Sequence, residues 1–228
     1  MADDALRLEN LGFRYPGHAG WLLDIAELAL APGEQTLLAG RSGMGKSTLL
    51  HTVLGLLEPQ RGRVLVAGRD IHGLRGAARD HFRGAHIGMI FQTFHLLHGF
   101  TAVENVMTAL AFSDVPRSEH RDRASALLRR LGIERPDAMP DRLSVGQQQR
   151  VAVARALACD PELVLADEPT ASLDPENAGE AMDLIQEVCR ERGAALLCVS
   201  HDPSLASRFD RRVSLAELNR AAAAPAGG

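Results

Sequence analysis

A chain of 228 residues, 46% of them hydrophobic, can bury one good-sized core, which predicts a single domain with at most a subdomain set into it. The formal charge of −4 excludes a broad basic footprint, so nucleic acid is not expected as the main ligand. An acidic Met-Ala-Asp-Asp start, and no stretch near the ~20 apolar residues that a membrane helix needs, predict a cytosolic chain whose membrane work would fall to another polypeptide.

Residues 6–10 and parts of 22–30 alternate as strands do. The apolar run Thr36-Leu37-Leu38-Ala39 stops at Gly40, and a helix-forming stretch runs from Lys46 to Leu57 before Pro59 and Gly62. Arg63–Ala67 and Ile87–Phe91 read as further strands. From about Gln92 to Cys159 the pattern turns helical, over 102–112, 118–131 and 146–158, with Pro116, Pro136 and Pro140 as breaks. Strand character returns at Leu163–Ala166 and Ala195–Ser200, with a helix over 176–191 between them. Strands alternating with helices predict a mostly parallel sheet with helices on its faces. The expected division is a core of 1–91 and 160–216, a helical subdomain of 92–159, and a disordered tail over 217–228, low in complexity from Ala221. Cys159, Cys189 and Cys198 lack metal-ligand spacing and read as buried free thiols in a reducing compartment.

Gly40-Arg41-Ser42-Gly43-Met44-Gly45-Lys46-Ser47 fits G-x-x-x-x-G-K-[ST], between a strand and a helix. Its glycines let backbone N–H groups face a phosphate, and the helix start adds positive potential. Lys46 is the only lysine among 25 basic residues, and a compact ammonium at a phosphate is hard to replace by a guanidinium. Lys46 is expected on the β- and γ-phosphates and Ser47 on Mg²⁺, with Thr48 following in the same helix. Alone, this cradle fits a transporter ATPase, a GTPase or a small-molecule kinase equally. Leu163-Val164-Leu165-Ala166 then delivers Asp167 toward the Mg²⁺ and Glu168 toward the attacking water, at the carboxyl edge where open α/β sheets bind ligands.

Leu143-Ser144-Val145-Gly146-Gln147-Gln148-Gln149-Arg150 closely resembles the signature motif of the ABC ATPases, normally Leu-Ser-Gly-Gly-Gln. The resemblance covers nearly the whole chain, from Tyr15 to His201. It implies a P-loop NTPase core with an antiparallel N-terminal β portion and an inserted α-helical subdomain. It further implies that Tyr15 stacks on adenine, that Gln92 senses Mg²⁺ and water, that Ser172-Leu173-Asp174 communicates across a dimer, and that His201 stands near the γ-phosphate. Catalytic work would fall to Glu168, His201, Gln92 and Lys46. ATP would be held by Tyr15, the cradle from Gly40 to Thr48, and Ser144, Gly146, Gln147 and Asp174. Since the resemblance places cradle and signature on opposite lobes, an ATP-dependent homodimer is expected, each cradle facing the other copy's signature. Val145 departs from the pattern. Either the position needs only helical φ, or the site is partly degenerate.

The stretch 91–106 looks like that of the lipoprotein-releasing and macrolide-exporter ATPases, which implies a separate membrane permease docking there and a peripheral place at the inner face of the cell membrane. Phe94, Leu96, Leu97 and Phe100 either receive a short helix of that permease or pack the subdomain core. The neighbouring His95 and His98 read as solvated, and 117–123 as a solvated helix face. Transport or extraction, and cell-division-type mechanotransmission, both remain open from the residues. They would differ in the permease and not in this chain.

Overall fold

The computed structural model describes residues 3–223. Two sheets share the work. Strands β1 (Leu6–Phe13), β2 (Leu23–Leu30), β4 (Arg61–Val66) and β5 (Arg69–Asp70) form an antiparallel sheet in the order β2-β1-β4-β5. Strands β3 (Gln35–Ala39), β6 (Ile87–Ile90), β7 (Leu163–Asp167), β8 (Ala195–Ser200) and β9 (Arg211–Ser214) form a parallel one in the order β6-β7-β8-β3-β9. Both faces of the parallel sheet are covered, so its strands need apolar residues throughout rather than in alternation. In β8 all six residues are buried: Leu196 and Cys198 on the helix-covered face, Ala195, Leu197 and Val199 toward the antiparallel sheet.

Helix α1 (Lys46–Val53) follows the cradle and stops earlier than Pro59 and Gly62 suggest. Gly55 stops it, at φ +70 and with Ile71 and Arg79 so close that a Cβ there would touch them at 3.1–3.2 Å. Helix α2 (Gly76–His86) gives no sequence signal, because Phe82 is its only buried residue and no apolar repeat forms. Helices α3 (Ala102–Leu110), α4 (His120–Arg130) and α5 (Val145–Leu157) pack together through Val103, Val106, Leu110, Leu127, Leu128, Val151 and Leu157. Thr101 starts α3 with a capping box, its hydroxyl accepting from the N–H of Glu104 while the Glu104 carboxylate accepts from the N–H of Thr101. Helix α6 (Pro175–Arg192) returns the chain to β8 and ends at Gly193, φ +68. The three cysteines are free. Cys189 and Cys198 are buried, which pushes the Cys189 thiol up to about 12 and that of Cys198 still higher, while Cys159 is only half-buried.

The stretch 217–223 is not a disordered tail, and its composition misleads. Glu217 and Leu218 belong to the short helix α7 (Leu215–Leu218), and Arg220–Ala223 form a 3-10 turn. Asn219, 3% exposed, pins this end to the antiparallel sheet. Its Oδ1 accepts from the N–H of Asp24 at 2.7 Å and of Ala221 at 3.2 Å, and its Nδ2 donates to the Leu22 carbonyl at 2.8 Å. Residues 224–228 of the expected tail lie outside the described residues.

Asn219→Ala removes the partner of the part-buried Asp24 N–H and Leu22 carbonyl, so it is expected to lower the unfolding free energy by about 1–3 kcal/mol. Urea denaturation reads this as a lower midpoint at unchanged slope. A midpoint equal to the native one would mean that Asn219 does not hold the C-terminal stretch.

Candidate functional site

Four neighbouring parallel strands end on one edge, and each carries a candidate residue to it. Gln92 follows β6, Asp167 and Glu168 close β7, Ser200 and His201 close β8, and the cradle follows β3. The crevice beyond the carboxyl ends of such strands is where open α/β sheets bind ligands. Here it is a cleft of ≈ 710 Å³, and Tyr15, Ser42, Gly43, Gly45, Lys46, Ser47, Thr48, Gln92, Asp167, Glu168 and His201 all line it.

The cradle turns on Gly43 (φ +81) and Gly45 (φ +94), conformations that side-chain-bearing residues rarely adopt. Gly45 caps α1 without any side-chain hydrogen bond, so the first N–H groups of the helix stay open to the cleft. Lys46 is 7% exposed, and its ammonium donates to the Gly40 carbonyl at 2.6 Å. Gly40, Arg41 and Met44 stand off the cleft wall and border another hollow, behind the cradle, beside Leu37 and Pro203. The Tyr15 hydroxyl meets that of Thr48 at 3.2 Å, and its ring stands edge-on to Phe13, which ties the end of β1 to α1.

Glu168 is the most constrained residue of the cleft. Its φ of +48 is costly for a side-chain-bearing residue, about 1–3 kcal/mol. Several contacts over-determine it. Its N–H donates to the Val199 carbonyl at 2.9 Å, His201 Nδ1 donates to its carboxylate at 2.7 Å, and the Ser200 hydroxyl donates at 3.1 Å. The Lys46 ammonium stands 3.5 Å away. A carboxylate so placed, beside Asp167, Ser47 and Gln92, suits an acid–base role next to a hard cation. The oxygen donors of those three match Mg²⁺ in kind.

The remaining candidates line a separate concavity of ≈ 540 Å³ that shares no residue with the cleft: Ser144, Gly146, Gln147 and Asp174, with Arg150 and Asn177. Ser144 and Gln147 form a reciprocal capping box at the start of α5, at 3.0 and 3.2 Å. The Ser144 hydroxyl accepts in that box and keeps its own hydrogen to donate. Val145 is the first residue of α5, without positive φ and half-exposed, so it occupies the position without backbone strain. A Cβ added at Gly146 would meet nothing within 4 Å, so nothing inside this chain requires glycine there. A hydrogen bond joins the two hollows, from the Ser172 hydroxyl to the Gln92 carbonyl at 2.9 Å.

The four apolar residues after Gln92 divide. Phe94 is buried, 8% exposed, and Leu96 packs against the core formed with the helical subdomain. Leu97 and Phe100 face outward, 43% and 44% exposed. Sequence reading missed the braces of this segment. Arg155 donates at 2.6 Å to each of the Phe94 and His95 carbonyls, whose residues both have positive φ, and burial lowers its pKa. Buried Asn105 accepts from the Leu97 N–H at 2.7 Å and donates to the carbonyls of Phe100 and Thr101. Also missed were His18, Trp21 and Leu22 on the cleft wall. The only available signal was that Trp21 is the sole tryptophan.

A family model described as "ABC transporter" matches residues 23–171. A lipoprotein-releasing system ATP-binding protein, LolD of Gluconobacter oxydans (strain 621H), is 47% identical over 215 residues, 92% of this chain and 93% of that protein. Among solved structures, the ATP-binding cassette MJ0796 in a dimeric post-hydrolysis state with ADP and Pi matches at TM-score 0.80 and 32% identity, over 95% of each chain. CbiO1 of Clostridium perfringens, part of the transporter complex cbiONQ, matches at TM-score 0.82 and 31% identity, over 93% of this chain and 84% of that one.

Proposed function

Because this chain belongs to the ABC transporter family, as an ATP-binding and ATP-hydrolysing subunit, we propose that two copies of it clamp ATP between the cleft of one and the signature concavity of the other. The observation that carries this reading is the separation of two anion-ready helix starts into hollows with no residue in common. One chain offers donors to one side of a triphosphate. A two-fold pair offers them to both sides, with the Ser144 hydroxyl and the first N–H groups of α5 completing the partner's cleft. The open space at Gly146 supports the reading, since a side chain would intrude only on something outside this chain.

Within the cleft we assign Lys46 to the β- and γ-phosphates, leaving the Gly40 carbonyl to reach them, and Tyr15 to the adenine. Mg²⁺, held by Ser47, Asp167 and Gln92, supplies charge neutralisation at the phosphate oxygens when bound. Glu168 takes the proton of the attacking water as the water oxygen bonds to the γ-phosphorus and the bond to the β,γ-bridging oxygen breaks, giving ADP and phosphate. His201 positions the Glu168 carboxylate through the 2.7 Å hydrogen bond. Loss of the γ-phosphate removes the shared anion and lets the copies part.

The work so released is proposed to drive export, or extraction of lipoprotein or peptide, through a separate permease, as the lipoprotein-releasing name of its relative suggests. Among the described residues no helix is long and apolar enough to cross a membrane. The permease docks on Leu97 and Phe100 within 91–106, and this contact holds the subunit at the inner membrane face.

General-base loss typically costs 10²–10⁴-fold, so Glu168→Gln is expected to lose at least a hundredfold in kcat. With Mg²⁺ and ATP the variant should elute from size exclusion as a dimer, and without nucleotide as a monomer. Elution as a monomer in both cases would remove the clamp. Leu97→Asp with Phe100→Asp should abolish co-purification of the membrane subunit from solubilised membranes while basal ATPase activity stays within about twofold. Retained co-purification would place the docking surface elsewhere.

A further inference from the structure

The candidate residues so far explain the phosphate end of the cleft better than the nucleoside end. Tyr15 supplies one aromatic there, its hydroxyl fixed on Thr48 and its ring edge-on to Phe13 at 5.1 Å. A second aromatic, Trp21, lines the same cleft, and the fold holds it with unusual care. The guanidiniums of Arg14 and Arg61 lie over its ring, 5.3 and 5.1 Å from the centroid. Both arginines are themselves tied down, Arg61 to the Asp24 carboxylate at 2.5 Å and Arg14 to the Ala19 carbonyl at 3.4 Å. Position 12 leaves room for the indole, since a Cβ on Gly12 would stand 3.1 Å from the Trp21 ring.

The indole is also held in register with the cradle. The residues after Trp21 pack directly on the cradle glycine: a Cβ on Gly45 would meet Leu23 at 3.1 Å and Leu22 at 3.3 Å. The Leu22 N–H donates to the Phe13 carbonyl at 2.9 Å, closing the loop that carries Tyr15. Two aromatics, one on each arm of this loop, therefore stand at fixed offsets from a phosphate cradle. Among the described residues no hydrogen bond uses the Trp21 indole N–H, so a donor is left for a sugar or base acceptor.

We propose that Trp21 is a nucleoside-binding residue, the second aromatic wall of the site, contacting the sugar and base of the nucleotide whose phosphates the cradle holds. The proposal rests on the ATP-binding reading and adds to it a residue that phosphate chemistry does not need. Aromatic contact tolerates any base with a π-face, so Trp21 should contribute to ATP and to GTP affinity alike.

Isothermal titration of the native chain and of Trp21→Ala, each with ATP, GTP and inorganic tripolyphosphate, tests it. Trp21→Ala should weaken ATP and GTP binding by roughly tenfold, within the range of one aromatic–base contact, and leave tripolyphosphate affinity within about twofold. Native tryptophan emission, which reports this residue alone, should change on saturation with ATP and not with tripolyphosphate. This second readout needs no variant to fold. An ATP Kd within about twofold of native in Trp21→Ala, with emission indifferent to the nucleoside, would overturn the proposal and leave ATP binding itself intact. A native chain that binds neither ATP nor tripolyphosphate would instead bring down the reading beneath it.

Discussion

A bound triphosphate concentrates several negative charges in a small volume, and a water-excluding site must answer them with donors on every side. This chain meets half of that demand at each of two places. The start of α1, with Lys46, answers from the floor of the cleft, while the start of α5, led by Ser144, waits in a hollow with which the cleft shares no lining residue. A helix start is an effective anion site only for a group brought within its first turn. In the proposed clamp the nucleotide satisfies both starts as the joint between two copies, which would make its hydrolysis a mechanical event as well as a chemical one.

The parallel sheet makes the chemistry local. Side-by-side strand ends place Gln92, Asp167, Glu168 and His201 on one edge although they lie up to 109 positions apart in the sequence, from Gln92 to His201. The price is a strained Glu168, and the contacts that sustain the strain are those that aim its carboxylate. The Ser172–Gln92 hydrogen bond connects the two hollows directly, from the cleft loop to the loop preceding α6. The Gln92 loop continues into the segment braced by Arg155 and Asn105, and that segment ends in the outward-facing Leu97 and Phe100.

Much of this was legible in the sequence because backbone chemistry dictates it. Gly43 and Gly45 must take positive φ, Lys46 must be a compact cation, and a buried apolar strand must precede Asp167, so spacing alone announces them. What stayed hidden depends on partners far away in the chain. Asn219 is meaningful only beside Asp24, 195 positions earlier, and Arg155 only beside Phe94, 61 positions earlier. The apolar run 94–100 could not be apportioned between core and surface, since its split follows from two successive residues with positive φ and not from any periodicity. Helix α2, with one buried side chain, left no pattern to read. Val145 takes helical φ without strain as the first residue of α5, which meets the backbone requirement of one of its two readings and which no motif spacing could show.

The most direct measurement is an experimental structure of Glu168→Gln with Mg²⁺ and ATP. The account expects each triphosphate to touch the Gly43–Ser47 turn of one copy and the Ser144 hydroxyl of the other across a two-fold axis. A nucleotide whose phosphates contact a single polypeptide, with the second signature segment facing solvent, would contradict it.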